Sequence, residues 1–213
     1  MRTVIGLVGF MGSGKDTVGN HLVEQHGFTS IAFADPLKDC LSAMFSWDRE
    51  MLAGRTSESR QWREQIDPWW AEKLGIPHFT PRFAMQHIGT DVMRKVFHDD
   101  MWLLNMEKRI NESEGPLVVT DGRFANEIKM LRRVGGRVFR VKRGPDPIWM
   151  NVARKANEGD VLSRDRLNEV FRVHQSEWAW VGEDLDGSIR NDGTLDDLID
   201  RAHEQFGFEK VAE

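Results

Sequence analysis

The sequence is poorest in cysteine and tyrosine, with one Cys, Cys40, and no Tyr among 213 residues. A single thiol excludes an internal disulfide framework and any zinc site of the usual cysteine-based kind. Long apolar runs are missing too. The run from Val4 to Phe10 is short, is broken by Gly6 and Gly9, and has no small-residue cleavage site behind it, which argues against a signal peptide. No stretch approaches the roughly 20 apolar residues that a transmembrane helix needs, so a soluble, cytoplasmic protein with no membrane partner is expected. Internal repeats, low-complexity tracts and linkers are absent. So is surplus positive charge: 29 Lys plus Arg stand against 34 Asp plus Glu, a net charge of −5. That balance argues against a protein that coats nucleic acid through bulk charge.

What is present is enough for a buried core, since 40% of the chain is hydrophobic. Arginine supplies 20 of the 29 basic residues. Its planar fork of donors grips phosphate at two points, although coding bias explains the lean equally well. The eight tryptophans all fall between Trp47 and Trp180.

Along the chain, Val4–Val8 reads as a buried strand. A Gly-rich turn follows, then a helix from about Gly14 with Val18, Leu22 and Val23 on its apolar face and Gly27 as its C-terminal cap. Ile31–Phe33 reads as a second strand, and Asp35-Pro36 as the N-cap and first-turn proline of a helix reaching about Phe45. Residues 46–114 have a mixed helical pattern with breaks near Pro68, Pro77 and Pro81. A strand returns at residues 117–120, followed by a helix carrying Ile128, Leu131 and Val134, a Gly135-Gly136 stop and a strand over Arg137–Val141. Residues 143–186 are polar and weakly periodic, as expected of a mobile segment. A last strand, residues 188–190, leads through Asn191-Asp192-Gly193 to a helix that Thr194 and Asp197 open as a capping box. Strands alternating with helices imply an α/β fold with a central parallel sheet covered on both faces, in one domain with two insertions.

Gly9-Phe10-Met11-Gly12-Ser13-Gly14-Lys15 fits G-x-x-x-x-G-K between a strand and a helix, the context that a phosphate-binding loop requires. The glycines let successive backbone N–H groups turn inward toward phosphate oxygens, and the helix N-terminus adds its positive dipole end. Lys15 reaches the β- and γ-phosphates in this reading. Asp16 stands where a Ser or Thr usually holds magnesium; its carboxylate is a hard oxygen ligand that serves Mg²⁺ directly or through water. Thr17 offers a hydroxyl to the α-phosphate. Asp121, at the end of an apolar strand, occupies the place of a second metal-holding acid, with a plain helix N-cap as the competing role. Arg123 lies two residues on. The loop, Asp35 and Asp121 all follow strand ends, where ligands of open parallel sheets bind.

Six segments together resemble the deoxynucleoside monophosphate kinases of the tailed-phage type, within the P-loop nucleotide kinases. They are Gly-Ser-Gly-Lys-Asp-Thr (12–17), Phe-Ala-Asp-Pro-Leu-Lys (33–38), Gln-His-Ile-Gly-Thr-Asp-Val-Met-Arg (86–94), Asp-Gly-Arg-Phe-Ala-Asn-Glu (121–127), His-Gln-Ser-Glu (174–177) and Asn-Asp-Gly-Thr-Leu (191–195). They occur in the family's order and span most of the chain. A looser resemblance extends to phosphomevalonate kinases with a P-loop and to dephospho-coenzyme A kinases. The resemblance implies a three-layer P-loop kinase fold, a helical insertion over residues 46–114 that receives the monophosphate, and a lid over residues 144–183. It also implies ATP as phosphoryl donor, Mg²⁺, a deoxynucleoside monophosphate as acceptor, a homodimer, and the host cytoplasm if the chain is phage-encoded.

Site roles follow from that resemblance. Gly12, Ser13, Gly14, Lys15, Asp16 and Thr17 hold the donor phosphates, while Asn191, Gly193 and Thr194 resemble the turn that holds the donor adenine. Asp16 and Asp121 organise the metal. Lys15, Arg123 and Arg143 stabilise the transferring group, with Arg154, Arg164 and Arg166 as lid candidates. Asp35, Lys38 and Gln86 fall on the acceptor side, with Arg94, one helical turn after Thr90, for the 5′-phosphate. Trp102, with Trp69 or Trp70, stacks on the base or else belongs to the core. Glu127, Gln86, Glu177 and His174 read the base or sugar, with a lid-hinge contact as the competing role of His174. A kinase of another small metabolite shares the same loop; a nucleotide-regulated nucleic-acid motor does too, but length, acidity and the lack of a basic stripe disfavour it.

Overall fold

A computed structural model describes residues 3–208. The chain forms two compact units, one made of the chain up to Ala32 and from Glu107 onward, the other of Phe33–Met106.

The first unit is built on a parallel sheet of five strands: β1 (Val4–Val8), β2 (Thr29–Ser30), β3 (Leu117–Val119), β4 (Arg137–Lys142) and β5 (Gly187–Arg190), in the order β2-β3-β1-β4-β5. β1 lies at the centre, with Ile5 opposite Val118 on one side and Arg137 on the other. Because successive side chains alternate between faces, each strand feeds two cores. Ile5, Leu7, Val118, Phe139, Val141 and Ile189 pack under α1 (Lys15–His26) and the last helix, which carries Leu198, Ala202 and Phe206 into the same cluster. On the opposite face, Gly6 lies so close to Leu131 that an added Cβ would come within 2.8 Å of its Cδ1. The absence of a side chain at Gly6 thus lets the helix Ala125–Arg133 settle on the sheet, and helix, sheet and helix form three layers.

The second unit is helical. It contains α2 (Asp35–Phe45), α3 (Arg49–Ala53), α4 (Ser57–Trp62), α5 (Pro68–Leu74), α6 (Pro81–Gln86), a π-helix (His87–Phe97) and the first half of α7 (Met101–Glu112). Pro68 and Pro81 each open a helix, after the capping side chains of Asp67 and Thr80. Its core is aromatic: Phe45 stacks on Trp47 at 4.5 Å and meets Trp70 and Phe79 edge-on or tilted. The indole N–H groups are satisfied within this core, with Trp47 donating to Asp67 at 2.8 Å and Trp70 to the Phe45 carbonyl at 3.1 Å.

The remaining helices, α8 (Ala125–Arg133), α9 (Met150–Asn157), α10 (Val161–Glu169), α11 (Gln175–Trp178) and α12 (Leu195–Phe206), belong to the first unit. Several boundaries fall where the sequence puts them, including the αL cap at Gly27 and the Thr194–Asp197 capping box. Others differ. The second strand is Thr29–Ser30 rather than Ile31–Phe33, although the Ile31 N–H still pairs with the Val118 carbonyl at 3.0 Å. Ala34, not Asp35, caps α2, and Asp35 lies in its first turn. Residues 143–186 are regular in structure despite their weak periodicity. They fold into α9, α10 and α11, which bury Ala153, Ala156, Leu167, Trp178 and Trp180. Each of these helices is too short to display more than a turn or two of apolar spacing. Among the described residues no helix is long and apolar enough to cross a membrane.

Phe139 is 1% exposed and meets Phe206 edge-on at 5.0 Å. Phe139→Ala is expected to cost about 3–5 kcal/mol. Urea unfolding followed by circular dichroism should show a lowered midpoint, and an unchanged midpoint would contradict this packing.

Candidate active site

Strand β1 ends in a loop whose shape depends on glycine at two positions. Gly9 has φ 145°, and a Cβ there would stand 2.3 Å from the Val141 carbonyl oxygen. Gly14 has φ 105°, and its Cβ would press on the Asn191 amide at 2.6 Å. Both the backbone angle and the close neighbour exclude a side chain. The Asn191 Nδ2 donates to the Ser13 carbonyl at 2.9 Å, so the turn after β5 braces the loop from behind. Asn191 thus touches the loop it was expected to accompany. Thr194 spends its hydroxyl on capping α12, and a Cβ on Gly193 would meet the Asp197 carboxylate at 2.4 Å.

Lys15 opens α1 and curls back over the loop, where its Nζ donates to the carbonyls of Gly9 at 2.8 Å and Phe10 at 3.0 Å. Burial lowers its pKa below the ordinary lysine value, and Arg123 pushes the same way. Asp16, Glu177 and Asp121 pull it back up. Three carboxylates and a guanidinium therefore share the field of one desolvated ammonium. Asp16 and Thr17 are exposed at the start of α1, while Ser13 is 4% exposed and its hydroxyl has no hydrogen-bond partner among the described residues. A loop with inward glycines, an unsatisfied hydroxyl and a desolvated lysine at a helix N-terminus suits a polyanion. The carboxylates of Asp16 and Asp121 supply the hard oxygen donors that Mg²⁺ prefers.

Arg123 is held from two sides. Its backbone N–H, with that of Phe124, donates to the Glu127 Oε2 at 2.7 and 3.0 Å, and its guanidinium pairs with Glu177 at 2.8 Å. Glu127 is 3% exposed and works here as the cap that shapes the Arg123 turn; this engagement was not expected of a residue assigned to the base or sugar. Glu177 lies beside Lys15 and Arg123. His174 Nδ1 accepts the Ser176 N–H at 3.2 Å and so caps α11, the helix that carries Glu177. Arg143 is exposed on the wall of a pocket of about 150 Å³ that Phe10, Met11, Gly12, Ser13 and Arg140 also line. Of the arginines expected in a lid, Arg154 and Arg164 make contacts at 3.5 Å to Asn151 and to the Ala156 carbonyl, and Arg166 lies over the Phe171 ring at 5.5 Å.

The remaining predicted residues lie in the second unit. Asp35 pairs with Arg49 at 3.2 Å and lies 3.8 Å from Lys38. Gln86 ends α6, half-buried. Arg94 is 6% exposed on the π-helix, with its Nε on Asp99 at 3.1 Å. The segment's i→i−5 bonding, as from the His98 N–H to the Met93 carbonyl, replaces the α-helical turn expected between Thr90 and Arg94; such helices are rare and frequent at functional sites. Trp102 donates to the Gly89 carbonyl at 2.8 Å and is 8% exposed, so it offers little face for a base. Trp70 belongs to the aromatic core, whereas Trp69 is 57% exposed.

One part of the site carries no sequence signal. Phe10, at a variable position of the loop, packs edge-on against Trp149 at 5.2 Å and at a tilt against Trp180 at 5.1 Å. Arg140 lies over both the Phe10 and Trp180 rings, at 5.6 and 5.3 Å. Its partner Asp146 is pushed up by burial, but Arg140 and Lys142 outweigh that and hold its carboxyl below the usual range. The loop is thereby clamped to the segment that follows β4. Only the concentration of tryptophans outside the strands hinted at this.

Comparison with known proteins yields two curated relatives. The chain is 29% identical over 152 residues to a protein of Acanthamoeba polyphaga mimivirus provisionally named a deoxynucleotide monophosphate kinase, covering 66% of this chain and 74% of that one. It is 27% identical over 183 residues to the deoxynucleoside-5′-monophosphate kinase of Escherichia phage T5, covering 62% of this chain and 72% of that one. Among solved structures, a dephospho-CoA kinase from Campylobacter jejuni aligns over 97% of this chain and 96% of its own, at 13% identity and a TM-score of 0.47. No protein-family model matches the chain.

A bound triphosphate favours the charged form of Lys15 and should raise its lowered pKa. Triphosphate binding at alkaline pH is then expected to take up protons. Calorimetry in two buffers of different ionisation enthalpy measures this, and Lys15→Arg, which is always charged, should abolish the uptake. Equal uptake by the two proteins would contradict it.

Proposed function

We propose that the chain transfers the γ-phosphoryl group of ATP to deoxynucleoside 5′-monophosphates, giving diphosphates for DNA precursor synthesis. The observation that carries this reading is the desolvated Lys15 ammonium, held by loop carbonyls and surrounded by Asp16, Asp121, Arg123 and Glu177. The two curated relatives support the acceptor class.

In this reading Lys15 exchanges the Gly9 and Phe10 carbonyls for phosphate oxygens of the donor, joined by the N–H groups of Gly12 to Asp16. Thr17 lies one residue on for the α-phosphate, and Asn191, Gly193 and Thr194 flank the adenine side. Asp16 and Asp121 would hold Mg²⁺, which supplies neutralisation of phosphate charge when bound. Arg123 leaves Glu177 for the transferring group, with Arg143 beside it. Phosphoryl transfer asks for positioning and charge stabilisation rather than covalent chemistry, and cations held in place meet that need. His174 has no role as a base, because the acceptor is already an anionic phosphate. Asp35, Lys38, Gln86 and Arg94 are assigned to the acceptor, with Arg94 on its 5′-phosphate. The acceptor's base falls to exposed Trp69 in the same assignment, joined by Glu177 once Arg123 releases it; Trp102 is buried and Glu127 caps the turn before α8. The protein works in the cytoplasm, on small nucleotides and without a nucleic-acid partner, as a homodimer.

A coupled ADP-release assay against deoxy- and ribonucleoside monophosphates tests the proposal. Activity with at least one deoxynucleoside monophosphate is expected, and Lys15→Ala should lower kcat/KM about 100- to 1000-fold. Arg94→Lys keeps the charge but loses the fork, and should raise the acceptor KM about tenfold while leaving that for ATP unchanged. A folded wild-type protein inactive on every monophosphate would refute the reading. A raised ATP KM in Arg94→Lys would refute the division of roles.

A further inference from the structure

Along the helix that Lys15 opens, three imidazoles converge against a second helix of the first unit. His21 and His26 lie on α1, and His203 lies on α12. The Nε2 of His203 is 2.9 Å from that of His21 and 3.0 Å from that of His26, and the three nitrogens all lie within 4.8 Å of one another. His203 is 7% exposed, and the other two are half-buried. The rings are packed together, with centroids 4.9–5.5 Å apart, and Phe208 covers His26 at 4.8 Å.

Hydrogen bonding accounts poorly for this arrangement. A neutral imidazole nitrogen has either one proton or one lone pair. The Nε2 of His203 can therefore make one good bond, to His21 or to His26, while both rings present a nitrogen to it at bonding distance. Protonating the rings would set cations against one another. A metal ion removes the conflict, because each Nε2 then directs its lone pair at a common centre. Nitrogens bound at the usual zinc distance of 2.0–2.1 Å in a tetrahedron are about 3.3–3.4 Å apart. The two short separations are a few tenths of an ångström below that, a difference that side-chain rotation supplies. Three neutral imidazoles suit zinc rather than the hard cations held by carboxylates.

We propose that His21, His26 and His203 form a three-histidine site for one Zn²⁺ ion, with a solvent molecule as fourth ligand. The ion ties α1 to α12. Lys15 begins the first of these helices, and the turn that braces the phosphate loop through Asn191 leads into the second. Zinc therefore fastens together the two helices that frame the loop. This assignment stands independently of the phosphoryl acceptor.

The test uses the untagged full-length chain, stripped with chelator and kept in millimolar Mg²⁺ so that the carboxylates at the loop are occupied. Titration should give one Zn²⁺ per chain, and Co²⁺ substitution should give the visible d–d absorption of a four-coordinate ion. Zinc at 100 times its Kd should raise the Tm by about 5–10 °C. His26→Gln, at the half-buried end of α1, should melt like the wild type in chelator and bind zinc at least about 100-fold more weakly. His203→Asn should lose the site as well, and if it fails to fold, His26→Gln alone decides. Wild-type protein that takes up no stoichiometric zinc, or His26→Gln that binds it as tightly as wild type, would overturn the proposal.

Discussion

The ammonium of Lys15 is the interaction on which the rest of the site depends. It is a cation taken out of water and given two loop carbonyls, at 2.8 and 3.0 Å, in exchange. Desolvation of a charge is costly unless polar partners surround it, and nearly every nearby feature contributes to that requirement. Gly9 adopts a backbone angle closed to other residues, which lays the loop against β4. Asn191 holds the Ser13 carbonyl, so the loop is fixed from the β5 side as well. Asp16, Asp121 and Glu177 offset the burial electrostatically, and Arg123 opposes them. A lysine in this setting gains by moving to an anion, which is the physical content of a phosphate-binding loop.

The same logic explains why two acidic residues that look alike in the sequence do different work. Glu127 is buried and accepts two backbone N–H groups at the start of α8, so it sets the conformation of the turn that presents Arg123. Glu177 is more open and accepts the Arg123 guanidinium itself. One carboxylate positions the main chain and the other holds the side chain. The aromatic clamp adds a further connection: Phe10 couples the loop to Trp149 and Trp180, beside the pocket that Arg143 lines.

Much of the first unit is legible in the sequence because its signals are local. Strand β1 is apolar on both faces and bounded by glycine, Gly27 takes the αL cap, and Thr194 with Asp197 makes a reciprocal pair of hydrogen bonds. The loop itself is legible for the same reason. What is not legible depends on partners distant in sequence. The role of Glu177 follows from the group that its carboxylate meets, 54 residues away. The π-helix cannot be distinguished from an α-helix by spacing, since its five-residue turns arise in a segment where Gly89 lies against Leu37 and accepts from Trp102. Trp102, which the sequence leaves open between base stacking and the core, is buried, as are Trp47, Trp178 and Trp180. The His21, His26 and His203 cluster spans 182 residues and forms no motif.

The central claim is that a desolvated lysine, steadied by carboxylates and a paired arginine, moves a phosphoryl group between nucleotides rather than to water. ³¹P NMR of the wild-type protein with ATP, Mg²⁺ and a mixture of deoxynucleoside monophosphates addresses it most directly. The account predicts that the γ-phosphate resonance of ATP declines as the paired resonances of ADP and a deoxynucleoside diphosphate grow in equal amounts. Growth of orthophosphate alone, or an unchanged ATP spectrum from folded protein, would contradict it.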